Sequence, residues 1–67
     1  MAVARVTQLI ASSPNSWEDA SSVALERASK TLRGITGMEV ISQKAKIEDG
    51  KISEYRIEVK ITFILEG

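Results

Sequence analysis

Residues 52–65, Ile52-Ser53-Glu54-Tyr55-Arg56-Ile57-Glu58-Val59-Lys60-Ile61-Thr62-Phe63-Ile64-Leu65, decide how this chain folds. Tyr55, Ile57, Val59, Ile61, Phe63 and Leu65 fall on odd positions, with Glu54, Arg56, Glu58, Lys60 and Thr62 between them. Side chains of a strand alternate between its faces, so this is the pattern of one half-buried β-strand. At about 3.3 Å per residue it would run ~45 Å, against ~17–20 Å for a usual strand. In a chain of 67 residues, a strand that long must wrap strongly or find partners in other chains.

Upstream of it, Asp49-Gly50 interrupts two alternating segments, which is a hairpin-turn signal. A turn there makes residues 37–47 the partner strand. It sets Ile47 opposite Ile52, Gln43 opposite Arg56, Val40 opposite Val59 and Glu39 opposite Lys60, which matches opposite charges at Glu39–Lys60. Met38 and Val40 then join Ile57, Val59 and Ile61 on the core face. The other face carries Gly37, Glu39, Ile41, Gln43, Ala45 and Ile47 beside Ile52, Glu54, Arg56, Glu58, Lys60 and Thr62. This face is mixed, with apolar spots among charges, as subunit contacts often are.

Further upstream, Ser13 can cap a helix with Pro14 in its first position. Ser16 with Asp19 is a rival capping pair one turn later. Successive 100° turns place Trp17, Ala20, Ala24, Leu25, Ala28, Leu32 and Ile35 in one arc, and the alanine stripe would let the helix lie close to a sheet. Glu18 and Asp19 suit the first turn, Lys30 and Arg33 the last. Glu26 and Lys30 have the spacing of a favourable pair, and Gly34 is a natural terminator. Residues 3–10 are rich in β-branched and aliphatic types on both faces, which suggests a strand covered on both sides. The expectation is one α+β domain over residues 1–67, ordered β-α-β-β, with a three-stranded antiparallel sheet wrapped around one helix.

Composition narrows the function. Nine basic and nine acidic side chains cancel, leaving no field to draw nucleic acid or an anionic membrane. Cysteine and histidine are both absent, which removes disulfides, thiolate metal sites and the usual general base. Oligomerisation is the remaining supplement for a core this small. The first ten residues are broken by Arg5 and Gln8 and lack the apolar run of a signal peptide, so a soluble, cytoplasmic protein is expected. Capping and helix-surface roles explain the serines, while the helix dipole and a solvated turn explain Glu18/Asp19 and Glu48/Asp49. Catalysis is not expected.

The segments Ala11-Ser12-Ser13, Ser16-Trp17-Glu18-Asp19-Ala20, Arg27-Ala28-Ser29-Lys30-Thr31-Leu32-Arg33, Glu39-Val40 and Tyr55 through Phe63-Ile64-Leu65-Glu66 together resemble the dodecins. That resemblance, over nearly the whole chain, implies a hollow homododecamer of cubic symmetry that binds a small ligand, commonly a flavin. It also implies a flavin site at Gly37, Lys44 and Arg56, with altered chemistry. Gly37 stands where flavin-binding members have a stacking tryptophan, Arg56 where they have a glutamine, and Ile64 where some have an arginine. Lys44 offers a basic contact. Weak flavin binding is therefore expected. Members without that tryptophan are linked to calcium, which makes Glu39, Glu54 and Glu58, contributed by several subunits, the candidate metal ligands. Carboxylate clusters of that kind suit hard cations.

Overall fold

A computed structural model describes residues 3–65 of the chain; Glu66, the last residue of the resemblance, lies outside them. The elements run β1 (Val3–Ser13), α1 (Trp17–Ser29), β2 (Ile35–Glu48) and β3 (Lys51–Leu65). The long alternating segment is the central strand of an antiparallel sheet of order β1-β3-β2. Its 15 residues set the long dimension of a body measuring 52 × 19 × 13 Å.

The helix packs on β1 and β3. Ala20, Ala24 and Ala28 are buried against Ile57, Val59 and Ile61, with Leu9, Ala11, Leu32 and Ile35 packed around them. The small alanine side chains let the helix approach the sheet closely enough to bury those three branched residues completely. Burial of each such side chain is worth about 1.5–3 kcal/mol. Leu25, placed on the same arc by its spacing, is exposed instead. Met38 and Val40 lie opposite Ile61 and Val59 but stay exposed, because the helix does not reach across to cover β2. On β1, the faces also differ from expectation. Leu9 packs on the core, while Val6 and Ile10 on the opposite side are 53% and 74% exposed. In all, eleven large apolar side chains remain exposed among the described residues, and exposed apolar patches mark contact surfaces.

The helix begins at the later of the two candidate caps. Ser16 accepts the Asp19 amide at 2.9 Å, whereas Ser13 is buried as the last residue of β1. There its hydroxyl accepts the Asn15 amide at 3.0 Å and donates to the Asp19 carboxylate. Pro14 belongs to the bend between β1 and α1, not to the helix. At the other end, the helix stops at Ser29 with Lys30 as C-cap, so Arg33 and Gly34 lie beyond it. The ion pairs among the described residues are Lys46–Glu48 and Arg56–Glu54, and the Glu26–Lys30 pair is not made. Gly34 serves the sheet instead of the helix. At φ +71° its carbonyl accepts the Ile64 amide at 3.0 Å. A Cβ there would come within 3.3 Å of the Ile64 carbonyl oxygen.

The hairpin turns at Asp49 and Gly50, both at positive φ (52° and 75°), as two-residue turns of this hand require. Ile47–Ile52, Val40–Val59 and Glu39–Lys60 pair as the turn predicts, but Gln43 lies opposite Ile57, not Arg56. Two bulges explain the difference. The register shifts by one between Lys46 and Ile47, where Ser53 is the extra residue, and shifts back between Val40 and Ser42, where Ile41 is. A third irregularity falls between Ile35 and Gly37.

Candidate functional site

The face turned away from the helix carries the polar residues of interest. Since directly paired residues share a face, the register places Gln8, Ile10 and Ser12 of β1 beside Lys60, Glu58 and Arg56 of β3, and Ser42, Lys44 and Lys46 of β2 beside Glu58, Arg56 and Glu54. The bulge at Ile41 has turned residues 42–46 over. Lys44 thus comes to this face and Gln43 leaves it, the reverse of their uninterrupted parity.

Ile10, Ser42, Lys44, Arg56, Ile57 and Glu58 line a cavity of about 130 Å³ there. Two of the three residues at the expected flavin position, Lys44 and Arg56, meet in this cavity as direct cross-strand neighbours. Gly37 does not join them. It lies opposite Thr62, six residues along β3 from Arg56, or roughly 20 Å at the usual strand rise. The cavity is also below the ~300–1,000 Å³ of sites for drug-sized molecules.

The carboxylates are largely committed. Glu58 accepts from the Gln8 amide and, at 3.2 Å, from the Ser42 hydroxyl, so one carboxylate ties together all three strands. Glu54 accepts from Arg56 Nε at 2.8 Å. This hydrogen bond, more than any other influence, holds the Glu54 carboxyl below its ordinary value, against a smaller opposing effect of desolvation. Glu39 lies opposite Lys60. Within one chain Glu39, Glu54 and Glu58 are spread along the face, and no three acidic groups converge among the described residues. Lys44 makes no ion pair among those residues. The cavity therefore presents one cation held by a neighbour, one cation without an ion pair, the Glu58 carboxylate with the Ser42 hydroxyl bound to it, and the apolar wall of Ile10.

Trp17 supports this arrangement from the helix side. Its indole N–H donates to the Lys44 carbonyl at 2.9 Å, and its ring meets Tyr55 edge to face at 4.9 Å and 82°. Packing toward the sheet was legible from helical spacing, but the bond to Lys44 was not. Nor were Gln8, Ile10 and Ser42 as site residues. No turn links β1 to β3, so their register leaves no local mark, and the Ile41 bulge conceals Ser42.

The comparisons with known proteins agree with this architecture. The family model described as Dodecin matches residues 3–66. A calcium dodecin from Mycobacterium tuberculosis is 38% identical over 64 residues, covering 94% of this chain and 89% of that protein. Among solved structures, dodecin from Streptomyces coelicolor superposes with a TM-score of 0.94 at 35% identity, over 98% of this chain and 94% of that one. The crystal structure of the Mycobacterium tuberculosis calcium dodecin, described as a calcium-chelating antigen with a novel calcium-binding site, superposes at 0.83 and 31% identity, over 96% and 91%.

Proposed function

The chain belongs to the dodecin family, and from that premise we propose that it assembles into a hollow homododecamer that binds a small anionic ligand, without catalysis, on the face opposite the helix. The observation that carries the reading is the meeting of Lys44 and Arg56 with Ile10, Ser42 and Glu58 on an uncovered face, where Glu58 is taken up by Gln8 and Ser42 and Lys44 has no ion pair among the described residues. An unpaired lysine and an arginine beside an apolar wall suit a molecule with an anionic end and a flat body. Arginine both pairs with phosphate or carboxylate and stacks on rings. Exposed Val6, Ile10, Met38 and Val40 supply apolar surface for neighbouring copies. In a symmetric assembly one patch meets its counterpart, so a cavity too small in one chain is enlarged at the contact. A cytoplasmic location belongs to the same reading; no helix among the described residues is long and apolar enough to cross a membrane.

Sedimentation and native mass spectrometry at micromolar concentration test the assembly, and a predominance of monomer or dimer would remove it. The ligand class is tested by titrating FMN and riboflavin, which share a ring and differ in the phosphate. FMN is expected to bind more tightly, and equal binding would count against the cationic site.

A second reading, calcium held between subunits by Glu39, Glu54 and Glu58, is favoured by the 38% identity to a protein named calcium dodecin. Charge repetition by symmetry would gather carboxylates that are separate in one chain. Calorimetry with calcium and with magnesium decides it. No heat and no loss of stability on chelation would dismiss it.

A further inference from the structure

Two ionised side chains line the cavity without an ion pair, and they carry opposite signs. Lys44 and Glu58 both border it. The ion pairs among the described residues are Lys46–Glu48 and Arg56–Glu54, so these two groups pair neither with a neighbour nor with each other. The register explains their separation. Lys44 lies opposite Arg56, while Glu58, two residues further along β3, lies between Ile10 and Ser42. The cation and the carboxylate therefore occupy successive rows of the face, roughly 6.6 Å apart along the strand.

Glu58 has acceptor capacity left. Gln8 donates to its Oε2 and Ser42 to its Oε1, one neutral donor on each oxygen, whereas an ionised carboxylate offers about four acceptor positions. Those bonds fix the half-buried group in place without cancelling its charge. In the neighbouring row, Glu54 meets the charge of Arg56 and nothing meets that of Lys44. A pure anion would satisfy Lys44 while facing the repulsion of Glu58. A ligand carrying both signs satisfies both.

We propose that the cavity takes the charged end of an amino-acid-like zwitterion, with a carboxylate on Lys44 and Arg56, an ammonium on Glu58 and a short hydrocarbon spacer against Ile10. This rests on the anionic-ligand reading given above and narrows it, making Glu58 a specificity-determining residue. A volume of about 130 Å³ suits a group of that size, where drug-sized molecules occupy ~300–1,000 Å³. The spacing of the two rows favours an ammonium several carbons from the carboxylate over one on the adjacent carbon.

Three compounds of one chain length separate the contributions: γ-aminobutyrate with both charges, butyrate with the anion alone and n-butylamine with the cation alone. Each is titrated into the native protein while the backbone amide resonances of Ile10, Ser42 and Arg56 are followed. γ-Aminobutyrate is expected to bind about threefold more tightly than either of the others, the scale of one exposed ionic contact. Its binding no better than butyrate would overturn the proposal, as would failure to bind at all. Glu58→Gln keeps an acceptor for the Ser42 hydroxyl and an amide that can pair with Gln8, so the tie between strands is retained. In that variant the advantage over butyrate should vanish, and in Lys44→Gln the advantage over n-butylamine should shrink. An undiminished advantage over butyrate in a folded Glu58→Gln protein would overturn the proposal. If that variant does not fold, the comparison of the three compounds on the native protein decides. Equal binding of γ-aminobutyrate and butyrate, with FMN still preferred to riboflavin, would sink the zwitterion alone. Equal binding of FMN and riboflavin, with γ-aminobutyrate no better than n-butylamine, would sink the cationic site beneath both readings.

Discussion

Lys44 and Arg56 stand directly opposite each other in the β2–β3 ladder, two cations on one face of the sheet. Like charges in that relation are destabilising, on the order of a few tenths of a kcal/mol. Glu54 relieves half of the conflict by taking the Arg56 guanidinium. Glu58 lines the same cavity, so the charges there balance, and Lys44 is the cation left without an ion pair among the described residues; the proposed reading assigns it to an anionic ligand.

Removing the uncommitted cation should therefore leave the empty protein no less stable. For Lys44→Gln, chemical denaturation is expected to show stability unchanged or raised by a few tenths of a kcal/mol. The advantage of FMN over riboflavin should disappear in the same variant. A clear loss of stability would mean that Lys44 has a structural partner, and a preserved FMN preference would mean that it is not the anion contact.

Acid should act on the other half of the pair. The Arg56 hydrogen bond lowers the Glu54 pKa from an ordinary 4.5, so on acidification the unfolded chain takes up this proton first. The contribution of the pair is fully present above the ordinary carboxylate value and is lost as pH falls through the lowered folded-state value. Being well exposed, the pair contributes little at any pH, so the decisive measurement is an NMR titration of Glu54. Its midpoint should lie below that of a free glutamate and return upward in Arg56→Gln. An unmoved midpoint would show that the hydrogen bond does not persist in solution.

Much of this fold can be read from single residues, and the failures share a cause. Tyr55 through Phe63 revealed the central strand because a core on one face enforces a period of two. Ala20, Ala24 and Ala28 revealed the helix face through a period of 3.6. Asp49-Gly50 revealed the hairpin because positive φ restricts residue choice. Ile41 and Ser53, in contrast, are bulge residues of ordinary type, with no positive φ to demand glycine. Nothing local announces them, and they reverse the faces of Gln43 and Lys44. The site suffered most. Lys44 and Arg56 were named from family resemblance, but their contact depends on the bulges, and Gln8, Ile10 and Ser42 depend on a β1–β3 register that only the folded sheet displays.

The two serines before the helix were equal candidates on sequence, and substitution should separate them. Ser16→Ala removes the cap on the Asp19 amide and is expected to cost about 1 kcal/mol. Ser13 is buried and serves both the Asn15 amide and the Asp19 carboxylate, so Ser13→Ala leaves polar groups without partners, at about 1–3 kcal/mol. Thermal denaturation of the two variants should rank Ser13→Ala as the more damaging. The reverse order would show that the two bonds of Ser13 contribute less than the cap.

Gly37 offers the sharpest test of what the face has lost. Its backbone lies outside the left-handed region, and an added Cβ would meet nothing nearer than Thr62 Cβ at 4.0 Å. The fold therefore does not require glycine here, and a larger side chain has room to stand on the ligand face. Without a ring at this position an aromatic ligand forfeits roughly 0.5–1.5 kcal/mol of stacking beyond its area burial. Riboflavin binding to the native protein is accordingly expected to be weaker than about 10 μM, since so little contact offsets the entropy of association. Gly37→Trp combined with Arg56→Gln supplies a stacking face and replaces a charged contact by an amide. Flavin fluorescence should be quenched strongly by this double variant and weakly by the native chain. Tight quenching by the native protein would show that the Arg56 guanidinium already stacks on the ring, and the weight given to the absent indole would have to be withdrawn.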